Sequence, residues 1–164
     1  MKTRSWTQVP RMAIPALLLV ALAACSSGPV RRVSEPAARL QQLTVNVDGS
    51  WTAQVRLENY SSIPMRFERF DLVLQAGGQE AGALRASPAL DIGPESADVV
   101  EARLVPAAAA KLAAADALAA GRSLSYSLTG TVVATPDESS KSRDFDIERN
   151  SALSPAPGLP GVLR

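Results

Sequence analysis

From Leu43 to Glu58 the chain alternates apolar and polar residues with period two. Leu43, Val45 and Val47 alternate with Thr44, Asn46 and Asp48, and then Trp51, Ala53, Val55 and Leu57 alternate with Thr52, Gln54, Arg56 and Glu58. Successive side chains of a strand point to opposite faces, so each run has one face for a core and one for water. Asp48-Gly49 between the runs predicts a hairpin turn. A third strand starts near Met65 with Phe67 inward, but Phe70, Leu72 and Leu74 continue in the opposite phase. A bulge near Glu68 and Arg69 returns all of them to one buried face.

Gly77-Gly78 then turns the chain into a short strand around Ala81 to Arg85, and Pro88 and Gly93-Pro94 mark further turns. Alternation returns in Val100, Ala102 and Leu104, in Leu124, Tyr126, Leu128 and Val132, and in Phe145 and Ile147. The fold predicted is mainly β, with about seven antiparallel strands and no internal repeat of fixed period. The exception is Pro106 to Ala120, where ten alanines with Lys111, Leu112, Asp116 and Leu118 favour a helix. Pro106 lies near its first turn and Gly121 at its C-terminal cap. Leu112 and Leu118 sit about 120° apart around such a helix, so its apolar stripe is weak. It suits a close approach to a sheet edge, or the open end of a sandwich.

Ahead of the strands, Lys2, Arg4 and Arg11 precede an apolar run from Met12 to Ala24 that ends in small residues. This is the layout of a secretion signal, and it is shorter than the roughly 20 residues a bilayer-spanning helix needs. Leu22-Ala23-Ala24-Cys25 resembles the lipobox of bacterial lipoproteins. The resemblance implies that the Cys25 thiol takes a diacylglyceryl group, that the signal is cut just before it, and that the new amino terminus takes a third, palmitate-type chain. Each buried methylene contributes about 0.8 kcal/mol, so three chains hold a domain on its membrane almost permanently. Ser26 rather than an aspartate after the cysteine implies, by the sorting rule of enteric bacteria, the periplasmic face of the outer membrane.

The organisation expected is a signal peptide over 1–24, a lipidated flexible tether over 25–39, a β-sandwich over 40–149 and a mobile Pro/Gly-rich tail over 150–164. Cleavage removes three of the seventeen basic residues and none of the sixteen acidic ones, leaving a slight acidic excess. With the basic residues also scattered, nucleic acid is not an expected partner. Histidine is absent and the only cysteine is Cys25. The commonest general base at neutral pH and the commonest metal ligand are therefore missing, and no thiol is left for a disulfide or a nucleophile. No catalytic, metal or cofactor site is expected, and the chain reads as a monomeric non-enzyme.

Two constellations of polar residues stand out from plain surface. Asp144, Asp146 and Glu148 project from one face of a strand, and calcium takes six to eight oxygen ligands. The glycine turn of a calcium loop is missing, which favours a solvated strand face. Ser139, Ser140, Lys141 and Ser142 contain a serine-lysine pair without a nucleophile-elbow or oxyanion-hole pattern, which favours an exposed hairpin loop.

Asn59-Tyr60-Ser61-Ser62-Ile63-Pro64-Met65 is more specific, with an asparagine ending one alternating strand and a proline opening the next. Together with Phe70-Asp71-Leu72-Val73-Leu74, Gly77 or Gly78, and Gly82, it resembles the late-embryogenesis-abundant type 2 family, also called the water-stress and hypersensitive-response (WHy) domain. Tyr60 stands where that family usually has its first proline. The resemblance implies an immunoglobulin or fibronectin type III-like sandwich with one inserted helix and no known catalytic centre. Three functions are open: a protective envelope module in desiccation or other stress, a carrier of an apolar ligand such as a lipid, and a scaffold partner in an envelope complex bound through a sheet edge.

Overall fold

The computed structural model describes residues 31–164. The lipidation residue Cys25, the signal over 1–24 and the first part of the tether lie outside the described residues.

Among the described residues, nine strands and one helix follow in the order β1 (Ala37–Val45), β2 (Trp51–Asn59), β3 (Met65–Ala76), β4 (Gln79–Ala86), β5 (Leu90–Ile92), β6 (Ser96–Leu104), α1 (Ala108–Ala119), β7 (Leu124–Pro136), β8 (Arg143–Leu153) and β9 (Val162–Leu163). They form a four-stranded sheet in the order β6-β2-β1-β9 and a five-stranded sheet in the order β4-β3-β7-β8, with β5 also paired to β3. All pairs are antiparallel. The two sheets and the helix make the expected β-sandwich with one inserted helix. β5 and β9, with three and two residues, are the strands beyond the expected seven, and both are too short to show alternation.

The β1–β2 hairpin has the expected phase, with Trp51, Ala53, Val55 and Leu57 all buried. Its turn is set by Asp48, whose Oδ1 accepts hydrogen bonds from Ser50 N at 2.9 Å and Ser50 Oγ at 2.6 Å. Val47 lies in that turn and is fully exposed, because the strand ends two residues earlier. The bulge in β3 is also in place: the pairing of β3 with β7 shifts register between Phe67 and Arg69, and Phe67, Phe70, Leu72 and Leu74 all reach the core.

α1 lies at one end of the sandwich and turns Ala110, Ala114 and Ala117 inward, while Leu112 points to solvent. The i, i+4, i+7 spacing of these alanines makes the buried stripe, so close approach rather than bulk seats the helix. A Cβ on Gly77 would come within 2.7 Å of Ala113 Cβ, so only glycine lets the β3–β4 turn pass under the helix. The helix ends in a Schellman motif, with Arg122 N donating to Ala117 O at 2.9 Å, Gly121 N donating to Leu118 O at 3.3 Å, and Gly121 at a φ of 63°.

Both flanking segments differ from expectation. The expected tether runs to residue 39, but Ala37 to Arg39 belong to β1, with Ala38 and Leu40 buried against the core. Arg32 and Ser34 are already fixed, since Arg32 N donates to Ser62 Oγ at 2.7 Å and Ser34 N to Ser61 Oγ at 2.9 Å. The segment over 150–164, expected as a mobile tail, is built into the fold. β8 runs on to Leu153, and the chain then crosses from the edge of one sheet to the edge of the other, where Leu163 is buried beside Leu43. Proline and glycine there build a strap: Ser154 and Arg164 exchange backbone hydrogen bonds, and Val45 N donates to Gly161 O at 2.8 Å.

Candidate functional site

The Asn59–Met65 part of the resemblance lies at the end of the sandwich opposite α1, while the Gly77-Gly78 turn lies under α1 at the other end. Asn59, the last residue of β2, is completely buried. Its Nδ2 donates to the carbonyls of Ile63 at 2.9 Å, Ile92 at 3.1 Å and Gly93 at 2.9 Å. Its Oδ1 accepts from Ser61 N at 2.9 Å, an Asx-turn that starts the corner into β3. One amide therefore joins the end of β2, the 59–64 corner and the end of β5. Ser61 is equally buried and passes the link to the entering chain, where its Oγ meets Ser34. Nothing in the sequence singled out Ser61, since a serine in a turn is ordinary and its partner lies 27 residues away.

Next to this corner, on the outer face of the four-stranded sheet, Arg39 and Arg56 stand directly opposite each other on β1 and β2. Glu58 relieves the like-charge pair, its Oε1 accepting from Arg39 Nε and from Arg56 Nε, both at 3.1 Å. Tyr60 Oη donates to Glu58 Oε2 at 2.7 Å. Burial pushes the Glu58 pKa up, but the Tyr60 hydroxyl and the two guanidinium groups outweigh it and hold the carboxyl below its ordinary value. The same hydrogen bond, with some burial, raises the Tyr60 phenol.

Asp144, Asp146 and Glu148 are exposed on β8 and face the same way, opposite Val133, Thr131 and Thr129 of β7. Among the described residues, no group of three or more acidic, cysteine or histidine residues converges to hold a metal ion. Ser139 and Lys141 lie in the β7–β8 loop, where the Ser139 hydroxyl bonds the Lys141 backbone and not its amine, with Lys141 N donating to Ser139 Oγ at 3.1 Å and Ser139 Oγ to Lys141 O at 3.0 Å. The structure does not bring these two constellations into a common site.

At the α1 end, Ala115, Leu118 and Ala119 of the helix face Ala156, Leu159 and Pro160 of the strap across an open, mostly apolar groove of about 590 Å³. Sequence reasoning missed it because the strap read as a tail. Every buried side-chain nitrogen and oxygen among the described residues has a hydrogen-bond partner. The arrangement at the Asn59 corner is therefore chemically saturated: it clamps backbone to backbone.

No protein-family model and no curated protein matches the sequence. Among solved structures the chain is similar to a protein from Arabidopsis thaliana, at 14% identity over 80% of this chain and 89% of that one, with a TM-score of 0.47. It is similar to a second solution structure, provisionally named a late embryogenesis abundant (LEA) protein, at 12% identity over 87% of this chain and 80% of that one, TM-score 0.47. A crystal structure of a protein from Archaeoglobus fulgidus is similar at 13% identity over 76% of this chain and 98% of that one, TM-score 0.39.

Proposed function

We propose that this chain is a non-enzymatic envelope lipoprotein, anchored through Cys25, whose sandwich shields envelope surfaces during desiccation or related stress in the manner of the late-embryogenesis-abundant type 2 family. The observation that carries the reading is the Asn59 corner. The asparagine by which the sequence resembles that family is the one whose amide fastens β2 to the 59–64 turn and to β5. The anchor rests on Leu22-Ala23-Ala24-Cys25, and outer-membrane delivery on Ser26. Lack of histidine and commitment of the only thiol to lipid favour a binding or shielding role over turnover. A compact domain held at a membrane occupies surfaces that would otherwise meet as water is removed.

Mass spectrometry of the envelope protein tests the anchor, with thioether-linked diacylglycerol on Cys25 as the expected result and a free thiol as the refuting one. Loss of the gene should lower survival after graded drying, and the lipidated protein should restore it better than Cys25→Ser. Unchanged survival, or a hydrolytic activity that stays with the purified protein, would remove the protective reading.

The groove between α1 and the strap favours a second reading, a carrier of an apolar ligand. Lipid retained by a non-acylated domain through purification, identified by mass spectrometry, would support it.

A further inference from the structure

The two ends of the sandwich differ in what they hold. Residues 31–34, the 59–64 corner, β5 with Gly93, and the loop that follows Pro136 are tied together at one end: Ser62 N donates to Arg32 O at 2.9 Å, Asp137 N to Pro64 O at 3.0 Å and Glu95 N to Ser61 O at 3.0 Å, and Arg31 pairs with Glu138. α1, the Gly77 turn and the strap occupy the other end. The nine residues of β2 separate the two, which at about 3.3 Å per residue is about 30 Å.

The docking of Arg32 and Ser34 onto the corner shortens the tether. Cys25 precedes Arg31 by six residues, and six residues reach about 20 Å even when fully extended. That is less than the length of the sandwich. We infer that the Asn59 end, with Arg31, the 59–64 corner and the β7–β8 loop, faces the phospholipid headgroups of the membrane, and that α1 and its groove point away from them. The inference rests on the lipid-anchor reading above. Its consequence is that, with the acyl chains seated in the bilayer, whatever the groove meets arrives from the aqueous side.

The test uses the acylated full chain in vesicles of phosphatidylethanolamine and phosphatidylglycerol that carry a fluorescent acceptor on a fraction of the headgroups. Because Cys25 is alkylated, a single donor dye attaches only at an introduced thiol, at Ser140→Cys in the β7–β8 loop or at Leu112→Cys on α1. Both positions are exposed. Energy transfer to the headgroups should be several-fold stronger from Ser140→Cys. A flexible insert of about 20 residues between Gly28 and Pro29 should erase most of the difference, since such an insert alone spans about 25 Å on average. Equal or reversed transfer in protein whose Cys25 acylation is verified by mass overturns the orientation and leaves the anchor standing. A difference that survives the insert overturns the tether as its cause. A free Cys25 thiol removes the anchor and the orientation together.

Discussion

The hydroxyl of Tyr126, on β7, lies 3.2 Å from Leu40 N and 3.5 Å from Leu40 O on β1, a bond that crosses the sandwich from one sheet to the other. It meets β1 where the pairing with β2 shifts register between Leu40 and Gln42. A bulge frees backbone groups from the ladder, and the tyrosine supplies both an acceptor and a donor there. Tyr126→Phe keeps the packing and removes the bond. Because the site is buried, it should cost about 1–3 kcal/mol, measured as a lower urea midpoint with an unchanged slope.

Asn59→Ala takes one donor group from three carbonyls and the acceptor from Ser61 N in a single step. The loss should exceed that of Tyr126→Phe, at about 3 kcal/mol or more. Asn59→Asp should be no better, since it sets a carboxylate against carbonyl oxygens. A chemical-denaturation midpoint of either variant near that of the parent would show that the corner is held by something other than this amide.

Glu58 links stability to pH. Its carboxyl titrates below its ordinary value in the folded state, so its contribution is fully present above the unfolded pKa, near 4.5. It is lost as pH falls through the folded value. Glu58→Gln should therefore cost about 1–2 kcal/mol at pH 7, and the gap should close progressively below about pH 4.5. Parallel urea titrations at pH 7 and pH 3 check the sign: a gap that widens on acidification contradicts it.

Leu163, buried beneath the strap, anchors the edge of the four-stranded sheet beside β1. Leu163→Ala should cost about 2–5 kcal/mol and expose the β1 edge to pairing with other chains. Urea unfolding reads the first effect, and light scattering at rising concentration reads the second. No change in either would mean that the strap is dispensable.

These positions also show what could be read before the structure. Trp51, Val55 and Leu57 follow from period two, since a strand with one covered face has no other place for them. The β3 bulge was legible because Phe67 and Phe70 break phase within one continuous run. Asn59 stood out through its family resemblance, yet its reach to Ile92 and Gly93 depends on β5, which three residues do not announce. Tyr126 alternates like any inward residue, and its bond to Leu40, 86 positions away, exists only once the two sheets are stacked. The strap misled for the opposite reason. Its prolines and glycines exclude helix and central strand, but they also suit a short rigid crossing between two sheet edges, and the burial of Leu163 with the backbone bonds of Ser154 and Gly161 distinguishes that from a loose tail.

α1 has no side-chain cap on Ala107, no acidic residue in its first turn and no basic residue in its last. Twelve residues of mostly alanine are too few to hold a helix alone in water, and the side chains it turns to the core are small, Ala110, Ala114 and Ala117, with Ala113 and Leu118 packed beside them. Its amides should therefore exchange with deuterium through local opening well before those of β3 and β7, which open only with the whole domain. On that expectation the end of the molecule that bears the groove should be the first to unfasten and close again while the sheets stay paired.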